Sequence, residues 1–275
     1  MAEALAGLAS AFAPLTLAEL NARAELRQRV DSKYVVPLES LESLLSQLAG
    51  SYAVLEIDGG RQFTYRTTYF DTPSLTTYRA HMQQRRRRFK CRSRQYVESG
   101  LNFFEVKLKG RRGETVKERL PSLPERHEAF GEEARTFLSG CLSTHYGTEL
   151  EEEFQPTLQM GYRRLTLVSL DEAERLTLDA ALSFQGVNGA ATAMAADYAI
   201  VESKSTRGRG TADRRLRALG FRPIRCSKYC LGIALTRHDV RGNDFLWLAR
   251  RHFQPAPRAD IAETLADRWD IRVAS

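Results

Sequence analysis

No stretch of this chain approaches the roughly 18 uninterrupted apolar residues of a conventional membrane-spanning helix, so none is expected. Cysteine is scarce: Cys91, Cys141, Cys226 and Cys230 are scattered and form no CxxC pair, which argues against a disulfide framework and against a structural zinc site. The Ala-rich stretch Met1 to Pro14 carries no basic leader region, so no secretory signal is read there and the expected compartment is the cytoplasm. A GxxxxGK[ST] phosphate loop is missing, which excludes P-loop chemistry at the level of motifs. Acidic residues are short in one region only. Residues 61–119 hold 16 Lys and Arg against 5 Asp and Glu, while the whole chain has 41 against 34. The frame is therefore near neutral and one segment is strongly basic, which points to a polyanionic partner or substrate.

What remains is an ordinary globular composition of 275 residues, 43% hydrophobic and 27% charged, long enough for one large domain or two small ones. Residues 1–24 read as helical or irregular, 25–238 as the main domain and 239–275 as a tail, with a short amphipathic helix at Ile261–Trp269. Leucines at 38, 41, 44, 45 and 48 follow Pro37 at helical spacing. From Tyr52 the period changes to two. Strands are expected at Tyr52–Ile57, Arg61–Phe70, Phe89–Tyr96, Phe103–Lys109 and Thr115–Leu120, separated by Gly-, Asp- and Pro-containing turns. A helix is expected at Pro124–Cys141, strands at Gln155–Ser169, Arg175–Phe184 and Tyr198–Ser205, and helices at Thr211–Leu219 and Lys228–Thr236. Strands joined by short turns, with helices in clumps, argue for an α+β arrangement built on an antiparallel sheet or barrel.

Alternation sorts the charges. Lys90, Arg92 and Arg94 share one strand face, as do Glu105, Lys107 and Lys109, Lys117 and Arg119, Arg29, Asp31 and Lys33, and Glu202 and Lys204. Any one such face reads as solvated. Several together place like charges across neighbouring strands, which costs stability unless a polyanion or metal compensates. Closing the sheet with this face inward would make a cationic tunnel suited to phosphate chains.

These residues occur in a recognisable order: Arg29 to Tyr34, Thr68 to Pro73, Arg92-Ser93-Arg94, Phe104 to Lys107, Tyr162-Arg163-Arg164, Leu178-Asp179, Val201 to Lys204 and Ser227-Lys228-Tyr229. The series resembles the VTC domain, the polyphosphate polymerase domain of the vacuolar transporter chaperone complex, over about residues 14–238. That domain is one of the triphosphate tunnel metalloenzymes, which include the CYTH triphosphatases. The resemblance implies a barrel of about eight antiparallel strands, flanked by helices, whose basic lumen holds a nucleoside triphosphate such as ATP, pyrophosphate or polyphosphate with Mn²⁺ or Mg²⁺. Carried over by motif, Lys33, Arg92, Arg94 and Lys107 are the catalytic cations. Lys117, Arg163, Lys204, Arg225, Ser227 and Lys228 bind substrate. Glu202 holds the metal, with Glu105 as a second candidate whose alternative is a buried ion pair.

Arg29 and Asp31 stand where CYTH triphosphatases carry glutamates, which leans the reading toward the polymerase branch. The activity implied is transfer of a γ-phosphate onto a growing polyphosphate chain. Triphosphate hydrolysis and non-catalytic polyphosphate or nucleotide binding are the alternatives. Nucleic acid is not an expected partner, because the basic strands alternate with carboxylates and lack interleaved aromatic platforms. Export of product would need a separate membrane protein. The run Arg85 to Arg88 reads as a solvated loop, a nucleic-acid or localisation patch, or a funnel for polyphosphate.

Overall fold

The computed structural model describes residues 7–23, 30–110 and 114–256. Arg29 and the segment Ile261–Trp269 lie outside the described residues. Twelve strands follow in chain order: β1 (Ala13–Leu15), β2 (Val30–Pro37), β3 (Tyr52–Leu55), β4 (Gln62–Asp71), β5 (Phe89–Tyr96), β6 (Leu101–Lys109), β7 (Thr115–Ser122), β8 (Gln155–Ser169), β9 (Glu174–Gly186), β10 (Ala191–Met194), β11 (Tyr198–Ser205) and β12 (Phe253–Pro255). Helices occupy Leu17–Arg23, Leu38–Leu48, Thr76–Met82, Glu132–Tyr146, Thr211–Ala218, Lys228–Thr236 and Leu246–His252. The α+β class is as the sequence implied. The closed eight-stranded barrel is not what the hydrogen bonds form: among the described residues the sheet runs β12-β10-β9-β8-β4-β5-β6-β7, with β1, β2, β3 and β11 joined beside this path. Short strands account for the larger count. β1, β10 and β12 have three or four residues each and carry no alternation that a sequence reader can use.

The chain divides into two compact units, each with its own core. Unit 1 takes the described residues of 1–64, 162–182 and 194–226. In it, β11 lies antiparallel between β2 and β9, and β1 pairs in parallel with β3. One face of β2 buries Tyr34 and Val36, and the same face of β11 buries Ala199 and Val201. They pack with Leu41, Leu44, Leu45 and Leu48 of the helix Leu38–Leu48, whose leucine spacing brings all four to one side. Asp31, Lys33, Glu202 and Lys204 fall on the opposite face by alternation.

Unit 2 takes the described residues of 65–161, 183–193 and 227–275. Here β4, β5, β6 and β7 form an antiparallel meander. Phe104, Val106 and Leu108 of β6 pack under Leu138, Cys141 and Leu142 of the helix Glu132–Tyr146. That helix begins later than its sequence suggested, because Pro124–Arg126 forms a separate 3₁₀ turn. Helix Lys228–Thr236 lies close to the sheet: a Cβ on Gly232 would collide with Leu158 and Phe184. The start of the supposed tail is structured, with Phe245, Leu248 and Phe253 all buried.

Candidate functional site

Each unit carries a cluster of cations around one strand carboxylate, and the register explains both. In unit 2, Lys90 of β5 stands opposite Lys107 of β6, which stands opposite Lys117 of β7. The next row along is Arg92, Glu105 and Arg119. Three lysines are therefore cross-strand neighbours on one face, and Glu105 is the carboxylate of the adjoining row.

Glu105 is 2% exposed and engages three cations. Arg92 donates from Nε and Nη2 to Oε2 at 2.8 and 2.7 Å, Arg94 Nη1 lies 3.7 Å from the same oxygen, and Lys117 Nζ is 2.5 Å from Oε1. Burial opposes ionisation, yet Arg94, Arg92 and Lys117 together hold the carboxyl well below the usual carboxylate range. Of the two roles weighed for Glu105, the geometry is that of the buried ion pair. Burial, with the Arg94 and Arg92 guanidiniums adding to it against the pull of Glu105, brings the Lys117 ammonium down to about 8. Tyr69 completes the setting, since its hydroxyl accepts from Arg92 Nη1 at 3.1 Å.

The basic element near residue 228 is placed by a buried acid. Asp71 is wholly buried and accepts from the backbone N–H groups of Thr72, Thr77 and Tyr78, from Thr77 Oγ1 and from the Tyr229 hydroxyl. It thus ties the start of helix Thr76–Met82 to the first turn of helix Lys228–Thr236. Ser227 caps that second helix, accepting from Cys230 N, and also accepts from Lys90 Nζ at 2.8 Å. Lys228, the first helical residue, is partly exposed beside it. Lys90 was not among the residues singled out by motif, although it shares the face of Arg92 and Arg94.

In unit 1, Lys33 and Glu202 are directly opposite across β2 and β11, as are Asp31 and Lys204. Glu202 Oε1 lies 3.2 Å from Lys33 Nζ and 2.9 Å from Lys204 Nζ. Against the cost of burial, Glu202 and Asp31 raise the Lys33 ammonium above its ordinary value. Lys204 goes the other way: burial outweighs Glu202, Arg164 adds to it, and the ammonium falls to about 8. Arg164 makes a bidentate pair with the fully buried Asp179, at 2.6 and 2.7 Å. Asp179 and Thr177 face β11 opposite Ile200 and Glu202, so Arg164 belongs to the Glu202 face. Arg163, the arginine picked by motif, alternates onto the face of Leu165 and Leu167, which are core residues. Arg225 is exposed, next to Ile224, whose N–H donates to the Lys33 carbonyl at 2.7 Å.

Behind this face, Ser203 Oγ lies 2.8 Å from Glu174 Oε1 and 2.9 Å from Asp213 Oδ2. Tyr34 donates to Asp213 and Tyr52 to Glu174. This wholly buried polar network accounts for a serine between Glu202 and Lys204, where a hydrophobic residue would leave two buried acids without it. Among the described residues no group of three or more His, Cys, Asp and Glu side chains gathers to hold a metal ion. Glu202, with Asp31 on the same face, is a hard-oxygen donor set that fits Mg²⁺ or Mn²⁺ taking its other ligands from phosphate and water. No described helix is long and apolar enough to cross a membrane.

The VTC domain family matches residues 28–237. No curated protein matches the chain. Among solved structures, it is similar to a putative adenylyl cyclase from Hippeastrum described as having a dominant triphosphatase activity (14% identity, 77% of this chain and 98% of that one covered, TM-score 0.48). A putative adenylate cyclase from Bacillus halodurans (14% identity, 73% and 94% covered, TM-score 0.39) and one from Vibrio parahaemolyticus (16% identity, 79% and 97% covered, TM-score 0.39) are similar at lower scores.

Proposed function

Because the chain belongs to the VTC domain family, we propose that it is a metal-dependent phosphotransferase. In this reading it moves the γ-phosphate of a nucleoside triphosphate, ATP by resemblance, onto the end of a growing polyphosphate chain. The observation that carries it is the row of Lys90, Lys107 and Lys117 on three adjacent strands, beside Arg92 and Arg94. Such a row, offset within the sheet by the single carboxylate of Glu105, is an electropositive face suited to a polyanion.

Phosphoryl transfer asks the protein for alignment and for neutralised charge rather than for covalent chemistry. Arg92 and Arg94 are held in place by Glu105, so their guanidiniums are oriented before a phosphate arrives. Lys107 and Lys117 act as point charges, Ser227 holds the Lys90 ammonium beside them, and Lys228 adds a further cation. In unit 1, Lys33, Lys204 and Arg164 do the same beside Glu202, with Arg225 at the exposed end. Glu202 and Asp31 would hold Mg²⁺ or Mn²⁺, which when bound neutralises charge on phosphate oxygens. The attacking chain end needs little help from a base, since the second ionisation of a phosphate group lies near 6.

The test is incubation of purified protein with ATP and Mn²⁺ or Mg²⁺, resolving polyphosphate on a stained gel while assaying ADP and free phosphate. Long chains with ADP release are expected. Free phosphate without chains would replace the reading with triphosphate hydrolysis, and neither product, with heat stability still raised by triphosphate, with a binding module. Lys107→Ala, Arg92→Ala and Glu202→Gln are each expected to abolish turnover in a folded protein.

A further inference from the structure

Residues 72–97 contain eight arginines and lysines and not one aspartate or glutamate. Lys90, Arg92 and Arg94 belong to the cluster described above and Arg79 to the helix Thr76–Met82. The other four, Arg85 to Arg88, link that helix to β5, and the proposed reaction does not use them. A solvated loop of like charges gains nothing from being rigid, yet both ends of this one are pinned. At the helix end, Gln83 N, Gln84 N and Arg85 N donate to the carbonyls of Arg79, His81 and Ala80 at 2.9, 3.0 and 2.9 Å. Gln84 adopts the left-handed conformation, with φ 51°. At the strand end, the Arg88 carbonyl accepts from Tyr146 Oη at 2.8 Å and from Lys109 N at 3.0 Å. Arg88 Nη1 closes the turn on the Arg85 carbonyl at 2.5 Å. The side chains of Arg85, Arg86 and Arg87 are exposed above this fixed base.

The turn also adjoins the lysine row: Arg88 lies two residues before Lys90, and its carbonyl takes the N–H of Lys109, two residues beyond Lys107 on the strand that faces Lys90. We propose that the Arg85–Arg88 turn is a second anion-binding site, which takes the distal phosphates of a long polyphosphate chain whose reacting end lies among Arg92, Arg94, Lys107 and Lys117. This rests on the reading of that cluster as a phosphate site. The chemistry selects the occupant. Consecutive guanidiniums suit a linear chain of phosphate oxygens, which they meet bidentately. No aromatic residue interrupts positions 83–88 to stack a base, and no apolar one to enter a bilayer.

The experiment compares wild type with an Arg85→Ala/Arg86→Ala/Arg87→Ala variant, whose fold is checked by thermal melting, for binding of long-chain inorganic polyphosphate and of inorganic triphosphate across a salt series. The expected result is a loss of about tenfold or more in long-chain affinity. The slope of log affinity against log salt should fall by about two, at roughly 0.7 per lost charge on a flexible polyanion. Triphosphate affinity stays unchanged. Unaltered long-chain affinity overturns the proposal, as does an equal loss for triphosphate. A loss confined to single-stranded RNA or to anionic vesicles, with polyphosphate unaffected, overturns it in favour of another partner. An Arg92→Ala/Arg94→Ala variant separates the two readings: it should lose both ligands, and if it loses neither, the reading of the cluster fails on its own account.

Discussion

Glu105 in unit 2 and Glu202 in unit 1 both sit among cations at mid-strand, but they are held differently. Glu105 is 2% exposed and engages two arginines and a lysine from its two neighbouring strands. Glu202, more exposed at 13%, meets two lysines, one across the ladder and one on its own strand. The first is a counter-ion that makes a cationic face foldable. The second is shared by two ammonium groups, one of which burial brings down to about 8. A carboxylate of the first kind supports a site and one of the second kind can exchange its partners within a site.

Substitution separates the two most strongly. Glu105→Ala leaves the buried Arg94 and the half-buried Arg92 without their counter-ion and should cost about 3–5 kcal/mol in denaturant unfolding, the range for breaking a buried ion pair. Glu202→Gln should stay within about 1 kcal/mol by the same measurement while turnover is lost. Equal stability losses would erase the distinction.

Acid sharpens it next, because all five histidines lie in unit 2. His127 is buried, with Nδ1 3.1 Å from Asn102 Oδ1, and burial with Arg66 nearby lowers it to about 4. Its folded value is below its unfolded value near 6.5, so the folded state binds fewer protons. Its stability is present above pH 6.5 and falls as pH drops toward 4. At pH 5 the loss from His127 is about 2 kcal/mol, read as a lowered unfolding midpoint; His81, at about 3, adds a similar loss, so His127→Gln should remove about half of the dependence.

Lys117 gives a smaller effect on binding. With its ammonium at about 8, triphosphate affinity should weaken by several-fold from pH 7 to pH 9, and Lys117→Arg should reduce that dependence in a binding titration, leaving the part that Lys204, also at about 8, contributes. The smallest effect belongs to an exposed pair of unit 1, Arg214 with Glu172 at 2.9 Å, 58% and 39% exposed. Glu172→Gln should change the unfolding free energy by no more than about 0.5 kcal/mol.

Period-two patterning with clear turn residues made β5, β8 and β11 legible to the residue, and leucine spacing did the same for the helix Leu38–Leu48. Helix Thr76–Met82 was not legible. Its start is set by Asp71, five residues upstream, while Leu75 before it is left-handed and makes no side-chain cap. β1, β10 and β12 are strands because of what they pair with, not because of their own residues. At the candidate site the cation faces could be read from alternation. Which of two adjacent arginines shares the Glu202 face could not, since Arg163 and Arg164 differ only by the phase of β8 against Asp179.

The sequence by itself determined the α+β class, the strand phases and the side of each strand that carries charge, because those depend on neighbours two to four residues apart. Tertiary structure decided that Glu105 is an ion-paired counter-charge, that Arg164 is locked by Asp179, and that Asp71 joins two helices separated by more than a hundred residues. Each of these depends on the register between strands or on packing between distant segments, and a single sequence records neither.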